Sequence, residues 1–502
     1  MPPDLRFIRG KSGFNRTVYS MTQKTRTRDL TVGSPMRLIL SFAAPLLFGF
    51  LFQQFYSFVD TAIVGKYLGA SKLAAVGGTG SINFLVLGFC QGACAGFAIP
   101  IAQAFGAKDG HQVRKCVSAS VYLSALVSIV MAALTGWLCP QMLRLMNTPE
   151  EIIADSVAYI RIIFLGIPVT ILYNMASGVL RSLGDSRTPV YFLILASLIN
   201  VVLDLVLIVY AGMGVAGAAV ATLISQLVSG IGCLIVMKKR FPILRMSAAE
   251  WQPDTALMKQ LLVTGLPMGL QFSITAIGSV VVQWSVNGLG VSAVAAVAAA
   301  GKLSMFFCCV FDALATTMAT FAGQNMGAGK IERISEGLKA SAWLGTVYCI
   351  GALLVILLFG QSLLSLFVDA GKEPEVMSMA TQYIRINAAM YIPLLFVNIV
   401  RLSIQGMGFT RVAMGAGAFE MVARTAVALW LVPVMKFTGA CLANPAAWIM
   451  ADLFLFPCYF RCLRIVRERM QLPAPRPVHT FTMKWVSLPI SHLHSALRKN
   501  RG

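Results

Sequence analysis

The sequence predicts an all-α integral membrane protein with twelve transmembrane helices, set in two parallel six-helix lobes about a pseudo-twofold axis along the membrane normal. Composition, the length of the apolar runs and an internal repeat lead there. The chain has 502 residues, 57% of them hydrophobic and only 12% charged, with a mean hydropathy of +0.75. A soluble domain carries about 25% charged residues, so apolar surface on this scale has to be covered by lipid. Apolar stretches of about 18 residues or more recur along the chain, each long enough to cross roughly 30 Å of hydrocarbon. With no water there, backbone groups must be satisfied inside the segment or in a closed barrel. The short alternating runs of a barrel are absent, which leaves helices.

Runs broken by Gly, Pro and charge place six spans in the first half, at 36–64, 72–100, 116–138, 157–180, 189–211 and 214–237. Six more follow at 259–287, 293–322, 338–360, 380–404, 412–435 and 439–463. Around them the chain divides into a basic tail over 1–33, an N-terminal lobe over 34–240, a linker over 241–258, a C-terminal lobe over 259–465 and a second basic tail over 466–502. Basic residues mark the cytoplasmic side of a membrane protein. They cluster in alternate loops, as Lys108, Arg114 and Lys115, as Arg181 and Arg187, as Lys238, Lys239, Arg240 and Arg245, and as Lys330, Arg333 and Lys339. The loops between hold acids, Glu150, Glu151 and Asp155, then Asp369, Glu373 and Glu375. Both termini are therefore expected on the cytoplasmic side of the cell membrane, and an even number of spans satisfies that. The net charge of +21 sits in these loops and tails, facing anionic lipid, and requires no nucleic acid. The leader lacks the apolar centre of a secretory signal. A loose cytoplasmic tail fits its Arg-rich composition, with Met21 as an alternative start. The 11 cysteines lack metal or redox spacing; Cys90, Cys94, Cys308, Cys309 and Cys349 fall inside spans as small packing residues.

The two halves repeat. Leu68-Gly69-Ala70-Ser71 returns as Leu289-Gly290-Val291-Ser292, 221 residues later, and Gln103 with Gly106-Ala107 returns at the same offset as Gln324 with Gly327-Ala328. Tyr159-Ile160-Arg161-Ile162 matches Tyr383-Ile384-Arg385-Ile386 at an offset of 224, as Leu183-Gly184 and Arg187 match Met407-Gly408 and Arg411. Four matches in register define a repeat. Because six spans is an even number, both copies enter the membrane in the same sense, which makes the lobes parallel.

An ionisable side chain in mid-membrane costs about 2.5–3.5 kcal/mol on insertion scales and is a functional candidate for that reason. Asp60, Asp204 and Asp312 lie deep inside spans; Glu420 has Arg424 one turn on and reads as a structural pair. Gln53, Tyr56 and Asp60 share one helix face, Asn200 and Asp204 another, Ala218 and Thr222 a third. Carboxylate, amide oxygen, hydroxyl and backbone carbonyl are hard ligands for a small cation. Two aspartates meeting in low dielectric would equally share a proton. Proton and Na+ both stay open as coupling ions, with no other metal and no cofactor implied. Pro45 lies four turns ahead of Asp60 and removes a helix hydrogen bond, which permits a bend or serves packing alone; Pro267 is its counterpart. A polar cavity is expected from Gln53, Tyr56, Asn174, Gln271, Gln283, Asn287 and Asp312, with Asn83, Gln91, Tyr391 and Asn398 as further members. No Walker loop, His cluster or nucleophile elbow occurs, so neither ATP hydrolysis nor another enzymatic activity is expected.

Over roughly residues 34 to 465 the chain resembles the multidrug and toxic compound extrusion (MATE) family. The likeness rests on Pro45, on Phe58-Val59-Asp60-Thr61-Ala62-Ile63-Val64-Gly65 with Leu68-Gly69, and on Ala74-Ala75-Val76. It continues through Arg181-Ser182-Leu183-Gly184-Asp185, Asn200 with Asp204, and Gly217-Ala218-Ala219 with Thr222. In the second half it rests on Gly265-Leu266-Pro267, Asn287 with Gly290, and Gly323-Gln324-Asn325 with Gly327-Ala328. The resemblance implies a secondary active antiporter that exports amphiphilic, cationic organic compounds in exchange for H+ or Na+. Its DinF-like branch implies that Asp60, Asn200, Asp204, Ala218 and Thr222 hold the coupling cation and that the first helix bends at Pro45. Some relatives carry an acid in the seventh span; here Gln271, Phe272, Ser273 and Ala276 stand in that stretch, which leaves Asp312 as the C-terminal lobe's candidate. An anionic cavity attracts cations, which is the physical basis for the substrate class. The alternatives are a lipid-linked precursor flippase of related topology, whose basic cavity Arg401 and Arg424 alone would not supply, and a channel. Membrane lipid and a small organic substrate are the expected partners of a monomer.

Overall fold

Every one of the twelve apolar runs lies on helix, and the described residues contain no strand. The structure is a computed structural model that describes residues 28–146, 148–368 and 371–470. Most of both expected tails, and Asp369, therefore lie outside the described residues. In the first half α1 spans Pro35–Leu68, the short α2 Ala70–Gly78 leads into α3 Gly80–Gly106, and α4 spans Gly110–Leu145. Helices α5 Glu150–Leu165 and α6 Ile167–Ser182 follow, then α7 Arg187–Asp204 and α8 Gly214–Arg240. The second half repeats the plan with α9 Thr255–Asn287, α10 Val291–Gly327 and α11 Ile331–Leu364. It ends with α12 Pro374–Ala389, α13 Tyr391–Gly406, α14 Thr410–Ala426, the single turn α15 Val432–Met435 and α16 Phe437–Arg469. By mutual packing the described residues up to Leu463 form one body, and Arg464–Met470 belong to a second, small unit.

Two expected spans are each broken in the same place. The run at 157–180 is the pair α5 and α6, bent by 46°, and the run at 380–404 is the pair α12 and α13, bent by 51°. Gly166 sits at the first break, where a Cβ would meet Leu223 of α8 at 2.1 Å, and Pro168 follows in the first turn of α6. Proline is tolerated there because its missing N–H would have no partner in a helix's first turn. Among the described residues nine helices are long and apolar enough to cross a membrane, and eleven if each bent pair counts as one span. The twelfth expected span falls on α16, which is long enough but lies outside that count. Helix α1 runs through Pro45 without interruption.

The two halves meet along glycines. A Cβ on Gly96 of α3 would lie 2.4 Å from the Cα of Gly265 on α9, and one on Gly92 would lie 2.6 Å from the Met268 carbonyl oxygen. Small residues of this kind let helix backbones approach closely in a membrane protein. At the end carrying Lys108 and Lys330, the basic end, α3 and α10 cross at Gly106 and Gly327. There a Cβ would meet the carbonyl oxygen of Gln324 at 1.9 Å and that of Gln103 at 1.8 Å. The repeat makes the cross-links reciprocal. Gln103 Nε2 donates to the Gly406 carbonyl and Gln324 Nε2 to the Ser182 carbonyl, each at 2.9 Å. At the opposite end the rings of Phe58 and Phe367 meet edge-on.

The linker folds into two short 3-10 turns, Pro242–Leu244 and Ala248–Trp251, and is anchored to α4. Glu250 accepts from the Ser247 N–H at 2.8 Å and from Arg114 Nε at 2.5 Å, with His111 Nδ1 at 3.2 Å. Burial alone would push its carboxyl up, but these three partners outweigh burial and hold it at about 2.

Two outcomes are expected from this architecture. Gly106→Ala overpacks the crossing and costs about 1–3 kcal/mol, read as a lower melting temperature in detergent; an unchanged melt would refute the close approach. A free glutamate titrates at about 4.3. Because the anchored Glu250 is depressed, its anchoring is complete above about 4.3 and lost as pH falls towards about 2. Hydrogen exchange at Ala248–Trp251 should therefore accelerate across that interval, and protection that persists at its lower limit contradicts the role.

Candidate cation site in the N-terminal lobe

Three helices bring the site together. Asp60 and Tyr56 lie one turn apart on α1, Asn200 and Asp204 end α7, and Ala218 and Thr222 lie one turn apart on α8. Their surroundings are apolar: Ile63, Val64, Ile208 and Ala218 form a buried cluster against which Val59, Tyr159, Val201 and Leu205 pack. Directly after Asp204 the helix widens into a π-helix over Leu205–Tyr210. Such segments rotate side chains out of α-helical register and recur at functional sites. Here Gly217 on α8 lets that widened segment come close, since a Cβ would lie 3.2 Å from Leu207.

The carboxyl groups of Asp60 and Asp204 face each other within hydrogen-bonding reach. Asp204 is 0% exposed and Asn200 is 1% exposed. Asn200 Nδ2 donates to Thr222 Oγ1 at 3.5 Å, and that hydroxyl donates to the Ala218 carbonyl at 3.1 Å. This network uses the donors and leaves the acceptors over. Asp60 Oδ1, Asn200 Oδ1 and both carboxyl oxygens of Asp204 are buried without a hydrogen-bond donor. Buried acceptors of this kind cost about 1–3 kcal/mol each when nothing positive reaches them. Two carboxylates this close repel unless a proton or cation lies between them. The donor set therefore fits a small hard cation or a shared proton.

Other sequence candidates lie elsewhere. Gln283 Nε2 donates to Asn287 Oδ1 at 2.8 Å on the exposed end of α9, and Asn174 Nδ2 bonds back to the Thr170 carbonyl of its own helix. Gln271 accepts from Gln405 Nε2 at 2.6 Å inside the C-terminal lobe. Gln53 is exposed on α1, two turns before Asp60, and Asp312 is exposed on α10 one turn after Cys308. Glu420 pairs most closely with Arg401 of α13 rather than with Arg424, which lies 3.7 Å away. Helix spacing identifies neighbours along one helix, and here the stronger partner comes from another.

Tyr159 is a site neighbour that sequence reasoning used only to mark the repeat. It packs on the apolar cluster beside Asp60 and is electrostatically linked to both aspartates. Its recurrence as Tyr383 was the available signal. The C-terminal lobe keeps the equivalent frame, including a π-helix over Val427–Leu431, but places Arg424 where the N-terminal lobe has Asn200. A guanidinium thus stands at the position that is an amide in the candidate cation site.

A body of two repeated halves, with apolar helices long enough to cross a membrane and two buried carboxyl groups among them, is the build of a membrane transporter. The MatE family model matches residues 45–206 and 267–430, one stretch per lobe, and the chain belongs to that family. It is a transporter and not an enzyme. It is 29% identical over 453 residues to the probable multidrug resistance protein YoeA of Bacillus subtilis, covering 86% of this chain and 95% of that one. It is 31% identical to the probable multidrug resistance protein YpnP of the same organism, covering 74% and 82% of the two chains. A solved structure described as the outward-facing conformation of a multidrug resistance MATE family transporter has the same fold, with a TM-score of 0.82 at 21% identity over 88% of this chain and 99% of that one.

Asp204→Asn would supply the missing donor between the two carboxyl groups. The variant is expected to melt higher than the parent in detergent, by roughly 1–2 kcal/mol of added stability. A lower or unchanged melting temperature would mean that the acceptors are not in deficit.

Proposed function

We propose that the protein is a secondary active efflux antiporter that exports amphiphilic, cationic organic compounds in exchange for H+ or Na+. One observation carries the reading: four buried acceptor oxygens of Asp60, Asn200 and Asp204 without a donor, beside the Thr222 hydroxyl and the Ala218 carbonyl. The relatives YoeA and YpnP, each named a probable multidrug resistance protein, support the efflux part. In this reading the basic end is cytoplasmic, because the loops there carry the excess of Lys and Arg. A cation or proton taken up from the opposite side neutralises the pair Asp60 and Asp204, and the lobe repacks around α1, with Pro45 as the point where that helix gives way. Because the two carboxyl groups bind positive charge only in one state of the lobe, loading and release bias the two conformations. Coupling is confined to the N-terminal lobe, since Arg424 already supplies a fixed positive charge at the equivalent position. Asp312, exposed on α10, gives the organic cation a carboxylate to meet.

Efflux of a fluorescent organic cation from vesicles, under a proton gradient and a Na+ gradient imposed separately, tests the proposal. One of the two gradients should drive accumulation against the concentration of the dye; mere equilibration under both would make the protein a channel. Asp60→Asn is expected to remove gradient-driven efflux while the variant still folds and inserts. Full export by that variant would overturn the assignment.

A further inference from the structure

The last residues of the expected N-terminal tail are folded into the body, and the opposite lobe holds them. Leu30 is 0% exposed and Thr31 is 2% exposed. The Leu30 N–H donates to Gln324 Oε1 at 2.9 Å, and its carbonyl accepts from Asn325 Nδ2 at 3.2 Å. Lys330 Nζ donates to the Thr31 carbonyl at 2.8 Å, and Arg333 Nη2 to the Gly33 carbonyl at 2.9 Å. These four partners belong to the C-terminal lobe. On the other side Gly184 of the N-terminal lobe, at φ +86°, is so near that a Cβ would meet the Arg28 carbonyl oxygen at 2.1 Å. Gln324 joins all three parts, because its Nε2 donates to the Ser182 carbonyl while its Oε1 accepts from Leu30.

The covalent path makes this a mechanical link. Ser34 leads straight from the segment into α1 of the N-terminal lobe. If the basic end opens, Ser182 and Gly184 move away from Gln324, and the segment cannot stay on both lobes. Leaving the slot exposes Leu30 and strips buried amide groups of Gln324 and Asn325 of their partners, which is costly for buried polar groups. The linker is a second such link, with the lobes exchanged: it precedes α9 of the C-terminal lobe and is anchored to α4 of the N-terminal lobe through Glu250 and Arg114.

We propose that Arg28–Gly33 is a latch between the lobes: seated, it holds the basic end shut, and it must leave its slot each time that end opens. This rests on the reading that the lobes alternate during efflux. Val32 is 56% exposed and Lys330 is exposed, whereas the native cysteines are buried or half-buried. A short, reducible thiol cross-linker between Val32→Cys and Lys330→Cys therefore locks the segment in place. Vesicle efflux of the fluorescent cation should fall at least tenfold in the cross-linked protein and return on reduction. Undiminished efflux from a fully cross-linked sample would overturn the latch. A second measurement needs no transport. Spin labels on the exposed, repeat-related positions Arg187→Cys and Arg411→Cys report the separation of the lobes at this end. With Gln324→Leu added, the distances should shift towards longer values; an unchanged distribution refutes the proposal. Should the parent protein show no efflux at all, the antiporter reading fails, and the label distances still decide the latch.

Discussion

Two carboxyl groups facing each other in an apolar lobe constrain every helix around them. Asp60 and Asp204 have buried oxygens without donors, so the site is costly and must be held by packing elsewhere. That packing is specific: the Ile63, Val64, Ile208 and Ala218 cluster fixes α1, the widened turn after Asp204 and α8 against each other. A lobe that relaxed to satisfy these oxygens internally would lose the acceptors that make it suited to a cation. The deficit of donors is thus kept by the rigidity of three helices.

The internal repeat supplies a frame in which differences between the lobes acquire meaning. Tyr159 and Tyr383 correspond, both lobes carry a π-helix in the same place, and Gln103 and Gln324 make reciprocal bonds. Against this frame Asn200 and Arg424 stand out, one leaving an unpaired amide oxygen and the other a guanidinium near Glu420. Removing one partner from such a buried ion pair leaves an uncompensated charge, so Arg401, Glu420 and Arg424 are expected to stay together as a unit. The C-terminal lobe is built like its counterpart and charged unlike it.

Close helix crossings and segments that reach across them give the basic end its character. Glycines at 106 and 327 bring backbones nearer than any side chain would allow, so contact there is made by main-chain atoms. The same end receives Leu30 and the Glu250 linker turn, each held by the lobe it does not lead into. These bonds need particular side chains, Gln324 and Asn325 for Leu30 and Arg114 for Glu250, and they exist only while the lobes keep one arrangement.

The sequence by itself determined the membrane embedding, the helical class, the repeat and the rows of polar residues at Asp60, Asn200, Asp204 and Thr222. These follow from local quantities: the length of an apolar run, a period of 3.6 residues and the cost of charge in lipid. Only the tertiary structure decided that those rows converge, that Tyr159 joins them, and that Arg401 takes Glu420 from Arg424. It likewise decided that Gln283 and Asn287 satisfy each other, that two spans break beside Gly166 and Met390, and that residues at the end of a basic tail become a buried segment. Each of these depends on which helix lies across from which. That is set by the packing of whole surfaces, and no window along the chain contains it.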